Sequence, residues 1–408
     1  MQRSILVKLI LISFIPTFLF AKDFNRTRIR NYVKDSLTET YRTSRDLLES
    51  YLMNDYDLIN DLYRDNIRSG RRLPNYPKTP AFVEHCLSQF NYPKEYKVKN
   101  LGFIKKIKKD DSIIPRKKPS KGKYDIIAYD LYIDLPYNGI PSRTKFRFYY
   151  YRSKLRFSHH SPKNPLILIS PSLKGIKANG MRAIETKWAR AFALNGINSM
   201  IISLDDNGLG LNRPLKMMDQ GLIKQVVGLR LILDFVKDQL DAEIDQQKIG
   251  ALGASLGGIR TAILMGVEPQ RVKAGVLVVA GGNFPDLWTT SRQKLVKKYR
   301  NHRIQVENIP GRNERAKLKF LYKLVKKTTC TDPLIFTHRR ASFADDVSMY
   351  IGTTDRKVPT KNQLELWAGI GKPRAVTSSP LKHSRTIYAS ANSYRDQIVR
   401  FFNRSFGF

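Results

Sequence analysis

Residues 250–258 read GALGASLGG, preceded by KI (248–249) and followed by IRTAILMG (259–266). Gly253, Ser255 and Gly257 set a serine between glycines where an apolar strand gives way to a helical stretch. A serine at so sharp a turn takes a positive φ, and side chains two positions away would collide across it. Gly253 and Gly257 carry no Cβ, and Gly258 opens the turn further. Such a turn lifts the serine Oγ above a sheet, with a helix N-terminus behind it that favours developing negative charge. Alone the spacing is weak: chance gives about 0.1 matches in a chain this long, and a packing turn would read the same way.

The surroundings supply more. From residue 164 the chain alternates short apolar runs with amphipathic stretches: PLILIS (165–170), MRAIETKWARAFAL (181–194), INSMIISL (197–204), GLIKQVVGLRLILDFVKDQL (221–240), KIGALGA (248–254), LGGIRTAILM (256–265) and VKAGVLVVA (272–280). Buried strands between amphipathic helices predict a mostly parallel sheet covered on both faces. Residues 283–345 interrupt the alternation, and VSMYIGTT (347–354) resumes it, followed by a helix, the short strand RAVTSS and a closing helix. Upstream, YKVKNLGFIKKIKK, YDIIAYDLYIDL and TKFRFYYYRSK predict antiparallel ribbons at a sheet edge. Residues 25–69 show helical periodicity.

A serine needs a base, and an imidazole needs a carboxylate to hold its tautomer. Asp355, in TTDRKVP, follows the strand 347–354, and His383, in PLKHSRT, follows the last short strand. Both fall at strand ends, on the carboxyl edge where open α/β sheets bind ligands. Asp286, in GGNFPDLW after another strand, is a competing acid. Asp205 and Asp206 also follow a strand end and read as structural.

Together, SPSLKG (170–175) after a strand, DAEIDQQKIG before the nucleophile strand, GASLGG, DRKVP and KHSRT make residues from about 120 to 405 resemble an α/β-hydrolase of the secreted esterase and dienelactone-hydrolase-like branch. The resemblance implies an α/β, three-layer α/β-hydrolase fold with a mostly parallel central sheet, an N-terminal helical extension and a cap insertion at about 283–345. It implies Ser255 as nucleophile, His383 as general base and then acid, and Asp355 as the orienting carboxylate. Leu256 N–H would be one oxyanion donor. The second would come from SPSLKG, with Leu173 ahead of Ser172. The expected activity is cleavage of carboxylic esters in a small molecule or lipid, with no cofactor and no metal. Thioester and peptide hydrolysis use the same triad, and a non-catalytic envelope-binding protein on this scaffold is the rival of another class.

Residues 1–21 read as an export signal: Arg3 and Lys8, then the apolar run 9–20, then Ala21. Leu19 is bulky for a cleavage site, so an uncleaved anchor is the alternative. The mature chain is expected in the periplasm or outside the cell, with residues 22–120 as an accessory region and 121–408 as the hydrolase domain. In an exported chain, Cys86 and Cys330 are either paired or two separate buried thiols. The formal net charge is +37, which speaks to partners rather than fold. Residues 94–123 carry 12 Lys/Arg against 3 Asp/Glu, and residues 291–330 carry 13 against 2. RAKLKFLYKLVKK (315–327) reads as a basic amphipathic helix: a cap that solvates its lysines, or a surface for anionic membranes. No nucleic-acid module, P-loop, dinucleotide fingerprint or zinc spacing is visible, and His159-His160, His85, His302 and His338 lie in no supporting motif. Asn25 and Asn403 match a glycosylation sequon at chance level.

Overall fold

A computed structural model of the chain describes residues 55–68, 79–137, 140–158, 161–173, 175–204, 214–339 and 341–407. The expected signal (1–21), the helical stretch up to residue 54, His159, His160, Asp205 and Asp206 lie outside the described residues.

Apolar, β-branched and aromatic runs form the strands: β1 Lys97–Ile107, β2 Ile113–Pro115, β3 Tyr124–Tyr137, β4 Ile140–Ser153, β5 Asn164–Ser170, β6 Asn198–Ser203, β7 Ile244–Ala254, β8 Ala274–Val278, β9 Val347–Gly352 and β10 Ala375–Ser379. They join in one sheet of order β10-β9-β8-β7-β5-β6-β4-β3-β1-β2. The run from β10 to β6 is parallel, and β4, β3, β1 and β2 continue it antiparallel. Every residue of β5 and β6 is buried, because both faces are covered. Alternate side chains enter separate cores: Leu166 and Leu168 on one side, Ile167 and Ile169 on the other.

The helices are α1 Tyr56–Arg68, α2 Pro80–Ser88, α3 Gly175–Asn179, α4 Ile184–Ala193, α5 Leu215–Gln239, α6 Leu256–Val267, α7 Phe284–Thr290, α8 Lys294–Val306, α9 Glu314–Thr328, α10 Thr360–Gly369, α11 His383–Ser390 and α12 Arg395–Ser405. Side chains of α5, α6 and α10 fill the Leu166 face, and those of α4 and α12 fill the Ile167 face. The helix expected over 221–240 begins earlier, at Leu215 behind Pro214, which suits a first helical turn that has no use for a proline N–H.

The border expected near residue 120 falls inside the sheet. β1 pairs with β3 from Lys97↔Tyr132 to Phe103↔Ile127, and residues 54–408 form one compact unit. Helix α1 packs against α10, with Tyr56 and Tyr63 edge-on to Trp367 at 5.6 and 6.0 Å. Asp55 accepts from Ser378 N at 2.8 Å and Ser378 Oγ at 2.7 Å. It thereby occupies a donor of edge strand β10 that would otherwise invite another chain. Cys86 on α2 is bonded to Cys330 beyond α9.

The insertion between β8 and β9 holds α7, α8, α9 and three 3₁₀ turns. On α9, Leu321 and Val325 are buried while Lys319, Lys323 and Lys327 are exposed. The insertion is tied at both ends. Asp219 on α5 accepts from Cys330 N (2.9 Å) and Thr331 N (3.0 Å). Near its start, Arg292 N donates to Arg356 O at 2.9 Å and Ser291 Oγ to Lys357 O at 2.5 Å.

Candidate active site

β7 ends at Ala254 and α6 begins at Leu256, which leaves Ser255 to make the whole turn with φ 56° and ψ −122°. The turn closes as tightly as the glycines suggested. A Cβ on Gly253 would stand 2.2 Å from Gly257 O, and one on Gly257 would stand 2.3 Å from Ser170 O. Both neighbours are backbone, so neither can give way. Ser255 N donates to Val278 O at 2.8 Å, which pins the turn to the end of β8.

Asp355 lies just beyond β9, and His383 opens α11 beyond β10. The sheet brings their loops to the carboxyl ends of the parallel strands, beside Ser255. His383 Nε2 lies 2.9 Å from Ser255 Oγ, and His383 Nδ1 lies 2.6 Å from Asp355 Oδ2. The other carboxylate oxygen, Oδ1, accepts from Lys357 N at 2.8 Å and Val358 N at 3.2 Å. The buried amide of Gln363 donates to Oδ2 at 3.3 Å and to Val358 O at 2.7 Å, while its Oε1 accepts from Gly352 N. Gln363 therefore fixes the loop that carries the carboxylate. A carboxylate on Nδ1 holds the proton there and leaves Nε2 as the acceptor facing the serine.

Asp286 does not reach the histidine. It lies in the first turn of α7, where its N–H donates to the N-cap Asn283, and its carboxylate pairs with Lys361. His85, His302 and His338 join no cluster with metal-binding geometry among the described residues.

Leu256 is the first residue of α6, so helix geometry leaves its N–H without an intrahelical acceptor. Close packing of Gly257 on Ser170 and Pro171 brings this helix start against the SPSLKG turn. Within that turn, Ser172 N and Ser172 Oγ both donate to Glu185 Oε1, at 2.8 and 3.0 Å. An N–H committed to a carboxylate is not available to an oxyanion, which corrects the place given to Ser172. Leu173 N has no partner among the described residues. Glu185 is buried on α4, and burial pushes its pKa up while Ser172 and the positive charge of Arg260 pull it back. Arg260, itself buried, donates from Nη1 to Pro171 O at 2.7 Å. The turn is thus held from two helices. A glutamate inside the amphipathic stretch 181–194 was the only sequence trace of this.

Beside the acid loop lies a cleft of about 420 Å³ lined by Thr290, Arg292, Asp355, Arg356, Pro359, Thr360 and Lys361.

No protein-family model and no curated protein matches the chain. Among solved structures it is similar to an acetyl xylan esterase from Paenibacillus sp. R4, with 16% identity over 82% of this chain and 96% of that one, and a TM-score of 0.53. It is similar as well to acetyl xylan esterase 1 from Thermoanaerobacterium sp. JW/SL YS485, with 13% identity, the same coverages of 82% and 96%, and a TM-score of 0.52. At such identities the likeness is one of fold. The chain has the α/β-hydrolase fold, with a mostly parallel sheet between two helical layers.

Proposed function

We propose that the chain is an exported serine hydrolase that cleaves carboxylic esters. The observation that carries this is the hydrogen-bonded run Ser255–His383–Asp355 on a serine held at positive φ. Ser255 Oγ attacks the acyl carbon as its proton passes to His383 Nε2, and the buried Asp355 carboxylate stabilises the imidazolium that results. The oxyanion meets the N–H groups of Leu256 and Leu173. Collapse expels the alcohol, which takes the proton from Nε2 and leaves an acyl-serine. A water that loses its proton to His383 then releases the acid and restores the serine.

The two similar structures carry the name acetyl xylan esterase, so short acyl esters of carbohydrates head the substrates to try. The Cys86–Cys330 bond is consistent with an oxidising compartment and supports export. The insertion fits a cap over the site, since it abuts the acid loop.

A series of p-nitrophenyl esters of rising acyl length, run beside a fluorophosphonate probe, tests the reading. Turnover and labelling are expected in the wild type and absent in a folded Ser255→Ala chain. Equal turnover by the two proteins would remove Ser255 from the reaction.

A further inference from the structure

The cleft at the acid loop has a chemistry of its own. Arg292 comes from the start of the insertion and Arg356 from the residue after Asp355. The bond from Arg292 N to Arg356 O, at 2.9 Å, sets their backbones side by side. Both side chains are exposed, and neither has an acidic partner among the described residues. The third cation, Lys361, is neutralised by Asp286. Asp355 also lines the cleft, but its carboxylate is buried and its oxygens are taken up by His383 and by the N–H groups of Lys357 and Val358. Lys357 beside Arg356, and Lys382 and Arg385 on either side of His383, are exposed and have no acidic partner among the described residues. Lys357 Nζ reaches Ser384 Oγ at 3.2 Å, immediately beside the histidine.

A chain of +37 has far more cations than carboxylates to pair them. Arg292 and Arg356 share a concave lining with Asp355, the residue that holds the catalytic histidine, and one backbone bond joins their two loops. Two like charges lining one cleft repel, and a bound anion relieves them. Planar guanidinium groups suit carboxylate or phosphate oxygens, which they can grip with paired N–H donors.

Resting on the hydrolase reading above, we infer that Arg292 and Arg356 bind an oxyanionic group carried by the ester substrate, so that the preferred substrates are acidic, water-soluble esters. A carboxylate and a phosphate are the two sources of that chemistry.

The experiment compares 4-carboxyphenyl acetate and 4-phosphonooxyphenyl acetate with the methyl ester of the former, which is neutral. The wild type is expected to favour one or both anions in kcat/KM. That preference should fall about tenfold in the Arg292→Gln/Arg356→Gln chain, mainly through KM, and return in large part in Arg292→Lys/Arg356→Lys. It should also weaken as salt rises. The ratio of anionic to neutral turnover is the readout, because loss of structure would lower both rates together. Which anion is preferred identifies the source. Equal handling of all three esters by the wild type, or a ratio untouched by the double substitution, overturns the inference and leaves the hydrolase reading standing. Calorimetric binding to Ser255→Ala separates the converse case. If the anionic esters bind better there through the arginines but the wild type hydrolyses none, the cleft stands and the hydrolase reading falls.

Discussion

The proposed chemistry depends on single atoms held in place by backbone. Asp355 accepts two main-chain N–H groups and the Gln363 amide before it meets His383, so its orientation survives thermal motion. Asp355→Asn is expected to cost about 10³–10⁴-fold in kcat while the fold is retained, because an amide favours the wrong imidazole tautomer. Asp286→Asn, on a carboxylate bound to Lys361, should change turnover of a neutral ester only a few-fold. Steady-state kinetics of the two variants side by side checks both, and the reverse order would move the acid to Asp286. Glu185 acts at one remove. Glu185→Ala frees the Ser172 N–H and leaves the buried Arg260 without the charge facing it. A drop of about 10–100-fold in kcat is expected, as for a displaced oxyanion donor, with a loss of stability from the stranded cation. Unchanged kcat in a folded protein would mean that the SPSLKG turn is not part of the oxyanion site. Ser255 and its glycines were legible because the turn excludes side chains locally. Glu185 was not, because its partner lies in another element and nothing in the spacing announces the pair.

Between elements, the strands of the parallel core were readable as continuous apolar runs, since a strand buried on both faces leaves no alternation to misread. The short helix α11 was not. His383 was placed only after the last short strand, yet it is the first residue of this helix, and Lys382 at the N-cap offers no side-chain acceptor to mark a start. The docking of α1 on α10 also depends on tertiary packing that no local pattern records. At this scale Glu365 on α10 deserves a test of its own. Burial, with Asp286 and Asp332 nearby, pushes its pKa up to about 7 from 4.5, against the pull of Asn283 and Lys361, and its buried Oε2 has no hydrogen-bond partner among the described residues. The folded chain therefore holds a proton there that the unfolded chain releases at lower pH. Its contribution is fully present below the unfolded value and is lost as pH rises from about 4.5 through about 7. Thermal denaturation across that range should show Glu365→Gln gaining on the wild type with rising pH. A constant difference between the two curves would contradict the assigned burial. The bond between α2 and the end of α9 closes 244 residues, for which chain entropy gives at most about 5 kcal/mol. A reductant should lower the Tm, and Cys86→Ser should lower it equally.

Over the whole molecule, charge is the property that packing does not explain. The two most basic segments enter the fold from opposite halves of the sheet. Residues 94–123 contain β1 and β2, at the antiparallel edge, while residues 291–330 lie in the insertion between β8 and β9. One flat anionic surface need not meet both, so the element that binds should be separable by mutation. On α9, Phe320 is 43% exposed next to the exposed Lys319 and Lys323, while Leu321 and Val325 secure the opposite face to the fold. An apolar ring among cations, on a helix already held down, suits adsorption to an anionic bilayer interface without insertion. The chain is expected to sediment with phosphatidylglycerol vesicles at low salt and not with phosphatidylcholine. Adsorption should disappear by roughly 0.5 M salt, as the Debye length shrinks from about 10 Å at 0.1 M towards about 3 Å at 1 M. Charge reversal at Lys319, Lys323 and Lys327 should abolish it, whereas reversal at Lys105, Lys106 and Lys117 should leave most of it. The opposite pattern would assign the contact to the sheet edge. Failure to bind at low salt would leave the charge of the insertion to the substrate cleft alone.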